Sequence, residues 1–360
     1  MNTILLTGFP GFLGSRLLPS LLGRAPDRRA VCLVQGKFAH VAEARRLALE
    51  GEHPEIAGRI ELVEGDITTA GLGLDGDGTH DVVEIYHLAA VYDLMVERPL
   101  AVRVNVDGTR NVLDFAESCA GLERLHYVST CYVSGRYAGI FSEDDLDKGQ
   151  AFNNYYEETK FLAEVEVKTR MDRGLPATVY RPAVVVGDSR TGETQKFDGP
   201  YFVIRWLLRQ GRIATLPVVG DPTAATVNLV PSDFVLDAIV HLSALERSLG
   251  KTYQLADPDP LTVDALIDAI ARETERRVVR IPLPRSLAKA ALDHVPGMYR
   301  LMQIPSASVD YFVHPTHYSS DRARADLAGS GVAVPPFVSY LPALVRFVRE
   351  HPEIGSAAMT

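Results

Sequence analysis

The sequence predicts an α/β protein built on a doubly wound parallel sheet, with a smaller, mostly helical C-terminal lobe. Short apolar runs alternate with amphipathic segments through the first half of the chain. The runs are almost continuously apolar, which is typical of parallel strands that are covered by helices on both faces. Right-handed crossovers between such strands give a Rossmann-like arrangement. After about residue 187 the pattern changes to polar, glycine-rich sequence and then to helical patterns broken by proline-rich turns.

The predicted elements follow one another in a regular order. Strands are predicted at the apolar runs 3–7, 30–34, 59–64, 84–88, 124–129 and 178–185. Helices are predicted at the amphipathic segments 12–22, 41–49, 102–119 and 155–173. Residues 187–200 are predicted as a loop, 201–210 as an apolar-rich helix, and 226–245 as a strand followed by a helix. This order predicts a sheet domain over 1–190, to which 226–256 returns, and a substrate-binding lobe over 191–360.

Composition excludes several classes of protein. The 360 residues are 46% hydrophobic and 23% charged, as in a globular protein with a sizeable core. The net charge is −9 without a basic run, which argues against a nucleic-acid surface. No apolar run is long enough for an integral membrane segment, and the N-terminus resembles a first strand and not a signal peptide. Cys32, Cys119 and Cys131 are odd in number and widely spaced, so we expect neither a disulfide framework nor a metal site, and we expect a reducing cytoplasm.

A glycine-rich turn joins the first strand to the first helix. The sequence TGFPGFLG places Gly8, Gly11 and Gly14 three residues apart. Such a turn lets the backbone approach a pyrophosphate, which then faces the free N–H groups and the dipole of the helix that begins at Phe12. A structural turn in another α/β protein is the alternative. We predict dinucleotide contacts from the loop residues Gly8, Phe9, Pro10, Gly11, Phe12 and Leu13.

The end of the second strand indicates which dinucleotide is bound. NAD-binding proteins of this type usually have an acidic residue there, which binds the ribose 2′-hydroxyl. The segment CLVQGKFAH offers Gln35 and Lys37 and no acid. A 2′-phosphate would find a cation in Lys37, so the sequence favours NADP(H) over NAD. The alternative is that Lys37 is a solvated loop lysine.

The third and fourth strands end in residues that suit the same ligand. Asp66 can accept a hydrogen bond from an adenine amino group, and Ile67 can pack on the ring. The fourth strand is followed by the apolar residues Leu88, Ala89 and Ala90. The small alanine side chains are expected to let the backbone approach the ribose and the nicotinamide of the cofactor. Ordinary strand ends would look the same, so the order of these segments along the chain supports the prediction more than any one of them.

The segment FNNYYEETK, at residues 152–160, contains a candidate acid/base. On a helix, Tyr156 and Lys160 share one face, whereas Tyr155 pairs with Thr159 and has no cation. A phenol has an ordinary pKa near 10, and a neighbouring ammonium, together with an oxidised nicotinamide ring, is expected to lower it. Ser129 and Thr130 end the fifth strand and supply hydroxyl groups at the edge of the sheet where ligands bind. An exposed Tyr–Lys pair is the alternative.

Taken together, these segments resemble the extended short-chain dehydrogenase/reductase (SDR) superfamily. The matching pieces are TGFPGFLG, GDIT, HLAA, NVDGT, YVSTCYV, YYEETK and YRPAVVVG, over roughly residues 1–235. The resemblance implies that Thr130, Tyr156 and Lys160 are the catalytic residues and that Lys160 also binds the nicotinamide ribose. Within YRPAVVVG, Pro182 and Val185 are predicted to contact the cofactor.

A narrower resemblance is carried by FNNYYEETK, RPAVVVGDSRTGE and KFDGPY, which are similar to the thioester-reductase-like branch. That branch includes fatty acyl-CoA reductases of the male-sterility type and the terminal reductase domains of carboxylic acid reductases and peptide synthetases. It implies NADPH-dependent reduction of an acyl thioester to an aldehyde, sometimes on to an alcohol, with an acyl-carrier protein or CoA as partner. The chain shows no adenylation or carrier domain, so a free-standing reductase is expected.

Two other functions stay open at this stage. One is an NADP-dependent ketone or alcohol dehydrogenase that acts on a bulky apolar substrate, such as a hydroxysteroid-like or 3-ketoacyl compound. The other is a non-catalytic NADP-sensing protein. Cys131, beside Thr130, could be a thiol nucleophile but is more typical of a buried structural cysteine, and His87 is typical of a core histidine with satisfied hydrogen bonds. The helix at 201–208 could line an acyl channel or simply pack in the core.

Overall fold

The computed structural model describes residues 2–74, 81–294 and 306–355. Its strands are β1 (Thr3–Thr7), β2 (Arg29–Val34), β3 (Ile60–Glu64), β4 (Val82–His87), β5 (Arg124–Val128), β6 (Gly139–Phe141), β7 (Ala177–Pro182), β8 (Val184–Val186), β9 (Ile213–Val219), β10 (Leu229–Pro231), β11 (Thr252–Leu255), β12 (Arg277–Leu283) and β13 (Thr316–Tyr318). Its α-helices are α1 (Phe12–Arg24), α2 (Ala39–Glu52), α3 (Arg98–Ala101), α4 (Gly108–Ser118), α5 (Tyr155–Asp172), α6 (Pro200–Leu208), α7 (Ser232–Ala244), α8 (Val263–Glu273), α9 (Arg285–His294), α10 (Asp321–Leu327) and α11 (Phe337–Glu350).

The main sheet has seven parallel strands in the order β11-β7-β5-β4-β1-β2-β3. The central strands are buried throughout, as their continuous apolar sequences predict. Helices α1, α2 and α7 contribute to the core on one face, and α4 and α5 contribute to the core on the other. The predicted Rossmann-like fold is therefore confirmed. Because all seven strands point the same way, their carboxyl ends meet at one edge.

The strand predicted at 178–185 is wrong in one respect, since it is two strands in different sheets. Ala183 still donates its N–H to Leu255 of β11, at 3.0 Å, but Val184 donates to Asn228, at 3.1 Å, and β8 then pairs with β10. The chain therefore leaves the main sheet after Ala183 and continues in a second, two-stranded sheet.

The helix predicted at 102–119 begins earlier, at Arg98, and is not a regular α-helix. Residues Val102–Asp107 form π-helical turns between α3 and α4. Asn105 lies in these turns and is 1% exposed. Its Oδ1 accepts from the Val91 N–H at 2.8 Å, and its Nδ2 donates to Thr159 Oγ1 at 3.0 Å. Such bulges occur mostly at functional sites, and this one joins the segment after β4 to α5.

The C-terminal part contains the helices that the sequence predicts, and it also contains short strands. β9 and β12 form a parallel pair over seven residues each, and β6 pairs with β13. A separate core lies among α6, α8, α11 and β9. The division at residue 190 stays a prediction, although β11 does return to the main sheet. Within the described ranges, none of the helices combines the length and the apolar character that crossing a bilayer would need.

Candidate active site

A cavity of about 940 Å³ lies at the carboxyl edge of the main sheet. Every residue predicted above as catalytic or cofactor-binding lines it. Small-molecule sites usually occupy about 300–1,000 Å³, so this cavity is large enough for a dinucleotide and part of a substrate. The structure thus brings together segments from β1, β2, β3, β4, β5, β7, β8 and α5, although the roles of the individual residues stay predictions.

The glycine loop forms a cradle that side chains would fill. Gly8 has φ +92°, and a Cβ there would lie 2.9 Å from the Ala89 nitrogen. A Cβ on Gly14 would lie 2.7 Å from the Gly8 carbonyl oxygen, where α1 passes over the loop. Among the described residues, no side chain caps the start of α1. Its first N–H groups are therefore available to an anion, and the loop fits a pyrophosphate.

The region expected to hold the adenosine contains an acid that the sequence reasoning missed. Gln35 Nε2 donates to Asp66 Oδ2 at 2.9 Å, and the exposed Lys37 places its ammonium 4.8 Å from the Phe38 ring centre. A Cβ on Gly36 would lie 2.6 Å from a Glu64 carboxylate oxygen. The segment after β2 contains no acid itself, but β3 brings the Glu64 carboxylate against Gly36, beside Lys37 in the sequence.

His87, at the end of β4, is a fully hydrogen-bonded core residue, as expected. Its Nδ1 lies 2.8 Å from Thr7 Oγ1, and its Nε2 lies 2.9 Å from Thr109 Oγ1. Burial lowers the pKa of His87 to about 3, and the charge of Lys160 contributes in the same direction. His87 is therefore neutral, and its role is to fix the strand end beside the cavity.

The two hydroxyl residues after β5 have different surroundings. Ser129 donates to Glu164 Oε2 at 2.5 Å and so points into a buried ion pair. Thr130 caps the short 3-10 helix Cys131–Ser134, and its hydroxyl donates to Pro182 O at 3.4 Å. Since the Thr130 hydroxyl also acts on the Tyr156 phenol, it is the better placed of the two for a substrate oxygen.

Tyr156 and Lys160 lie in the first two turns of α5 and both line the cavity. They are 8% and 3% exposed. The Tyr156 ring meets the Tyr92 ring edge-on, with 5.0 Å between centres. Lys160 Nζ donates to Val128 O at 2.9 Å and lies 4.4 Å from the centre of the Tyr127 ring. The cation is thus held against the end of β5.

The expected lowering of the phenol pKa is not observed. Burial raises the pKa of Tyr156, the Thr130 hydroxyl works in the opposite direction, and the charges of Glu157 and Asp198 raise it further. Burial also lowers the pKa of Lys160 to about 7, against the charge of Glu164. Removal from water disfavours the charged form of both groups and is the largest cause of each shift. The resting phenol is therefore neutral.

Three further side chains, which sequence reasoning missed, line the same cavity: Tyr92, Lys196 and Asp198. Lys196 Nζ lies 4.4 Å from the centre of the Tyr92 ring and 3.3 Å from an Asp198 carboxylate oxygen. Burial raises the pKa of Asp198, against the charge of Lys196. The only sequence signal was the fragment KFDGPY, which contains Lys196 and Asp198 but assigns them no role.

An apolar surface continues the cavity beyond Tyr156. Its lining includes Leu94, Leu100, Phe202, Val227, Leu266 and Phe312. Phe202 comes from α6, whereas Val203, Ile204 and Leu207 of the same helix pack in the C-terminal core. This helix therefore packs in the core and also lines the cavity, and an acyl channel stays a prediction. Cys131, by contrast, is fully buried; its thiol donates to Arg181 O at 3.0 Å, and burial raises its pKa.

Comparison with known proteins agrees with this geometry. A family described as Male sterility protein matches residues 6–239. A linear gramicidin synthase from Brevibacillus parabrevis is 31% identical over 280 residues, which are 74% of this chain and 5% of that protein. Aldehyde reductase lnbA from Aspergillus flavus is 28% identical over 300 residues, which are 78% of this chain and 29% of that protein. The chain therefore spans less than a third of these relatives.

A solved structure extends the likeness over the whole chain. The terminal R domain from the myxalamid PKS-NRPS biosynthetic pathway superposes with a TM-score of 0.82 at 29% identity, covering 99% of this chain and 93% of that domain. The likeness thus includes the C-terminal part, beyond residue 239, that the family match does not reach.

Proposed function

From the premise that the chain belongs to the Male sterility protein family and is an NAD(P)-dependent oxidoreductase with an extended SDR fold, we propose that it reduces an acyl thioester to an aldehyde with NADPH. The observation that carries the proposal is the joint position of Thr130, Tyr156 and Lys160 on the wall of one cavity, between the glycine loop and an apolar surface. A dinucleotide over the loop would leave the apolar part for the acyl chain.

The proposed chemistry assigns one task to each residue. When bound, NADPH would supply a hydride to the carbonyl carbon. The resulting hemithioacetal would then break its C–S bond, which leaves the aldehyde and a thiol that takes up the proton released by the oxygen. Tyr156 donates its proton to the carbonyl oxygen, and Thr130 donates a hydrogen bond that orients this oxygen. Lys160 holds the ribose and compensates negative charge as it develops. The neutral state of the resting phenol supports this direction, because a proton donor must carry its proton at the start.

The thioester is proposed in preference to a ketone for two reasons. The apolar lining, from Leu94 through Phe202 to Phe312, suits an extended acyl chain. The second reason is that the relatives include a gramicidin synthase and an aldehyde reductase. These names describe the relatives, and they support the proposal of a related reaction for this chain. We propose CoA or a carrier protein as the thiol that carries the acyl group. The same proposal includes residues 191–360 as the substrate-binding lobe and a cytoplasmic location.

NADPH is proposed over NADH because Lys37 can pair with a 2′-phosphate. Glu64 lies against the same loop and would repel it. A charge-assisted contact with an exposed lysine contributes little when a carboxylate is near, so the preference is expected to be modest.

The test is to follow loss of reduced-nicotinamide absorbance with long-chain acyl-CoAs, the matching aldehydes and bulky ketones, each with NADPH and with NADH. Turnover of acyl-CoA with release of aldehyde and free thiol is expected. Turnover of ketones alone would replace the thioester proposal with a ketone reductase. Tight NADPH binding without turnover of any substrate, unchanged in Tyr156→Phe, would indicate a sensor.

A further inference from the structure

Behind the proposed catalytic residues lies a buried ion pair that the chemistry above does not use. Glu164 is one turn after Lys160 on α5 and is fully buried, and Arg181 at the end of β7 is 1% exposed. Glu164 Oε1 accepts from Arg181 Nε at 2.9 Å and from Nη2 at 2.6 Å. Glu164 Oε2 accepts from Ser129 Oγ at 2.5 Å. One carboxylate thus connects α5, β5 and β7 directly behind the cavity wall.

Stability alone is a weak reason for such a pair. Removing two charges from water costs about as much as their attraction returns, so apolar replacements of buried pairs are often neutral or stabilising. Arg181 does also donate to Asp145 O at 2.8 Å and so fastens a loop. That contact needs the guanidinium, and the buried guanidinium in turn needs a counter-charge, but this charge need not lie one turn from Lys160.

We propose that Glu164 is a positioning residue: its carboxylate accepts the hydrogen bond of the Ser129 hydroxyl, which leaves Thr130 as the donor towards a substrate oxygen, and it keeps the Lys160 side chain cationic beside Tyr156. The inference rests on the proposed function only for the tasks of Thr130, Tyr156 and Lys160. Its geometric basis is the set of contacts given above, all of them within the described residues.

The groups that face Lys160 explain why a nearby carboxylate matters. β4 contributes His87, which is neutral, and β5 contributes the Tyr127 ring and the Val128 carbonyl. On α5 the neighbours are the neutral phenol of Tyr156 and the Glu164 carboxylate. Burial lowers the pKa of Lys160 to about 7, and the charge of Glu164 opposes this shift. Without Glu164, the ammonium would lose its protection against deprotonation near neutral pH.

The direction of the effect follows from the sign of each charge. Removing the Glu164 charge destabilises the Lys160 cation, so the pH above which the cation is lost moves down. An opposite charge at this range shifts a pKa by roughly one to three units. Removing the positive charge of Arg181 while Glu164 remains should move the same limit up. A purely structural role cannot produce shifts of opposite sign.

The experiment measures the pH dependence of NADPH binding, without substrate, and of kcat/KM for NADPH in wild type, Glu164→Gln and Arg181→Gln. The alkaline limit is the pH above which NADPH binding and kcat/KM decline. In Glu164→Gln this limit is expected to fall by about one pH unit or more, and in Arg181→Gln it is expected to rise. Ser129→Ala keeps both charges and is the matched control, with an unchanged limit. Identical limits in all four proteins would overturn the proposal.

Folding is checked by circular dichroism and thermal unfolding. If Glu164→Gln does not fold, the double variant Glu164→Gln/Arg181→Gln removes both charges and leaves no buried ion unpaired. Glu164 lies one turn from Lys160 on α5 and its charge acts on the ammonium, whereas Arg181 lies on β7. The alkaline limit of the double variant is therefore still expected below that of wild type, and an unchanged limit would refute the proposal. Since the binding arm needs no substrate, it tests the inference even if no thioester is reduced.

Discussion

Replacing Tyr156 by Phe removes one oxygen atom and keeps the ring. The ring is 8% exposed and packs edge-on against Tyr92, so its contacts remain. The lost hydroxyl interacts with Thr130, and a hydrogen bond of this kind contributes about 1 kcal/mol to stability. A positioned acid contributes about two to four orders of magnitude to turnover, which corresponds to roughly 3–5 kcal/mol of activation free energy. The variant should therefore fold, bind NADPH as wild type does, and lose nearly all reductase activity.

The assay compares three proteins: wild type, Tyr156→Phe and Tyr155→Phe. The last carries the same chemical change on the neighbouring tyrosine, which is 46% exposed, and is expected to retain wild-type kcat. Turnover is measured with a saturating long-chain acyl-CoA, and NADPH affinity by fluorescence. A fall in kcat of less than tenfold in Tyr156→Phe, or an equal fall in Tyr155→Phe, would refute the assignment of the proton donor.

Three further tests, with four substitutions, address other parts of the site. Burial holds the pKa of Lys160 near 7 against an ordinary 10.5, so between these values the unfolded chain binds a proton that the native chain does not, and stability rises with pH. Cofactor-free Lys160→Met should therefore melt above wild type at pH 6.5, with a gap that narrows towards pH 10; a constant gap would contradict this pKa. Lys37→Glu should lower the NADPH to NADH preference and Glu64→Gln should raise it, and equal ratios of kcat/KM in all three proteins would remove the cofactor argument. Because the Cys131 thiol is buried with a raised pKa, thiol reagents should spare activity, and Cys131→Ser should remain active; inactivation traced to Cys131 by mass spectrometry would show the opposite.

The parts of the fold that were predictable are those coded locally. The glycine loop, the apolar strands and α5 each depend on a pattern within about 20 consecutive residues, and α5 begins at Tyr155 as predicted. Its start is fixed by Asn154, whose side chain accepts from the Glu157 N–H at 3.0 Å. The meeting of the strand ends at one edge then follows from the parallel arrangement alone.

The parts that were missed depend on partners distant in sequence. Glu64 comes to Gly36 only through the pairing of β2 with β3. The break after Ala183 depends on Asn228, which offers an alternative ladder. The spacing of Tyr156 and Lys160 correctly predicted a shared face, but it could not predict how completely that face is buried, and burial decides both pKa values.

That burial also favours one direction of reaction. Reduction begins with a neutral phenol, and burial keeps Tyr156 in this form because it raises the pKa. Oxidation of an alcohol would begin with the phenolate, which the same burial disfavours. Lys160, with a pKa of about 7, is still largely cationic at slightly acidic pH and can stabilise the phenolate only once the proton has moved. With Tyr156 as the proposed proton donor, the enclosure of this residue thus suits reduction of a carbonyl better than its formation.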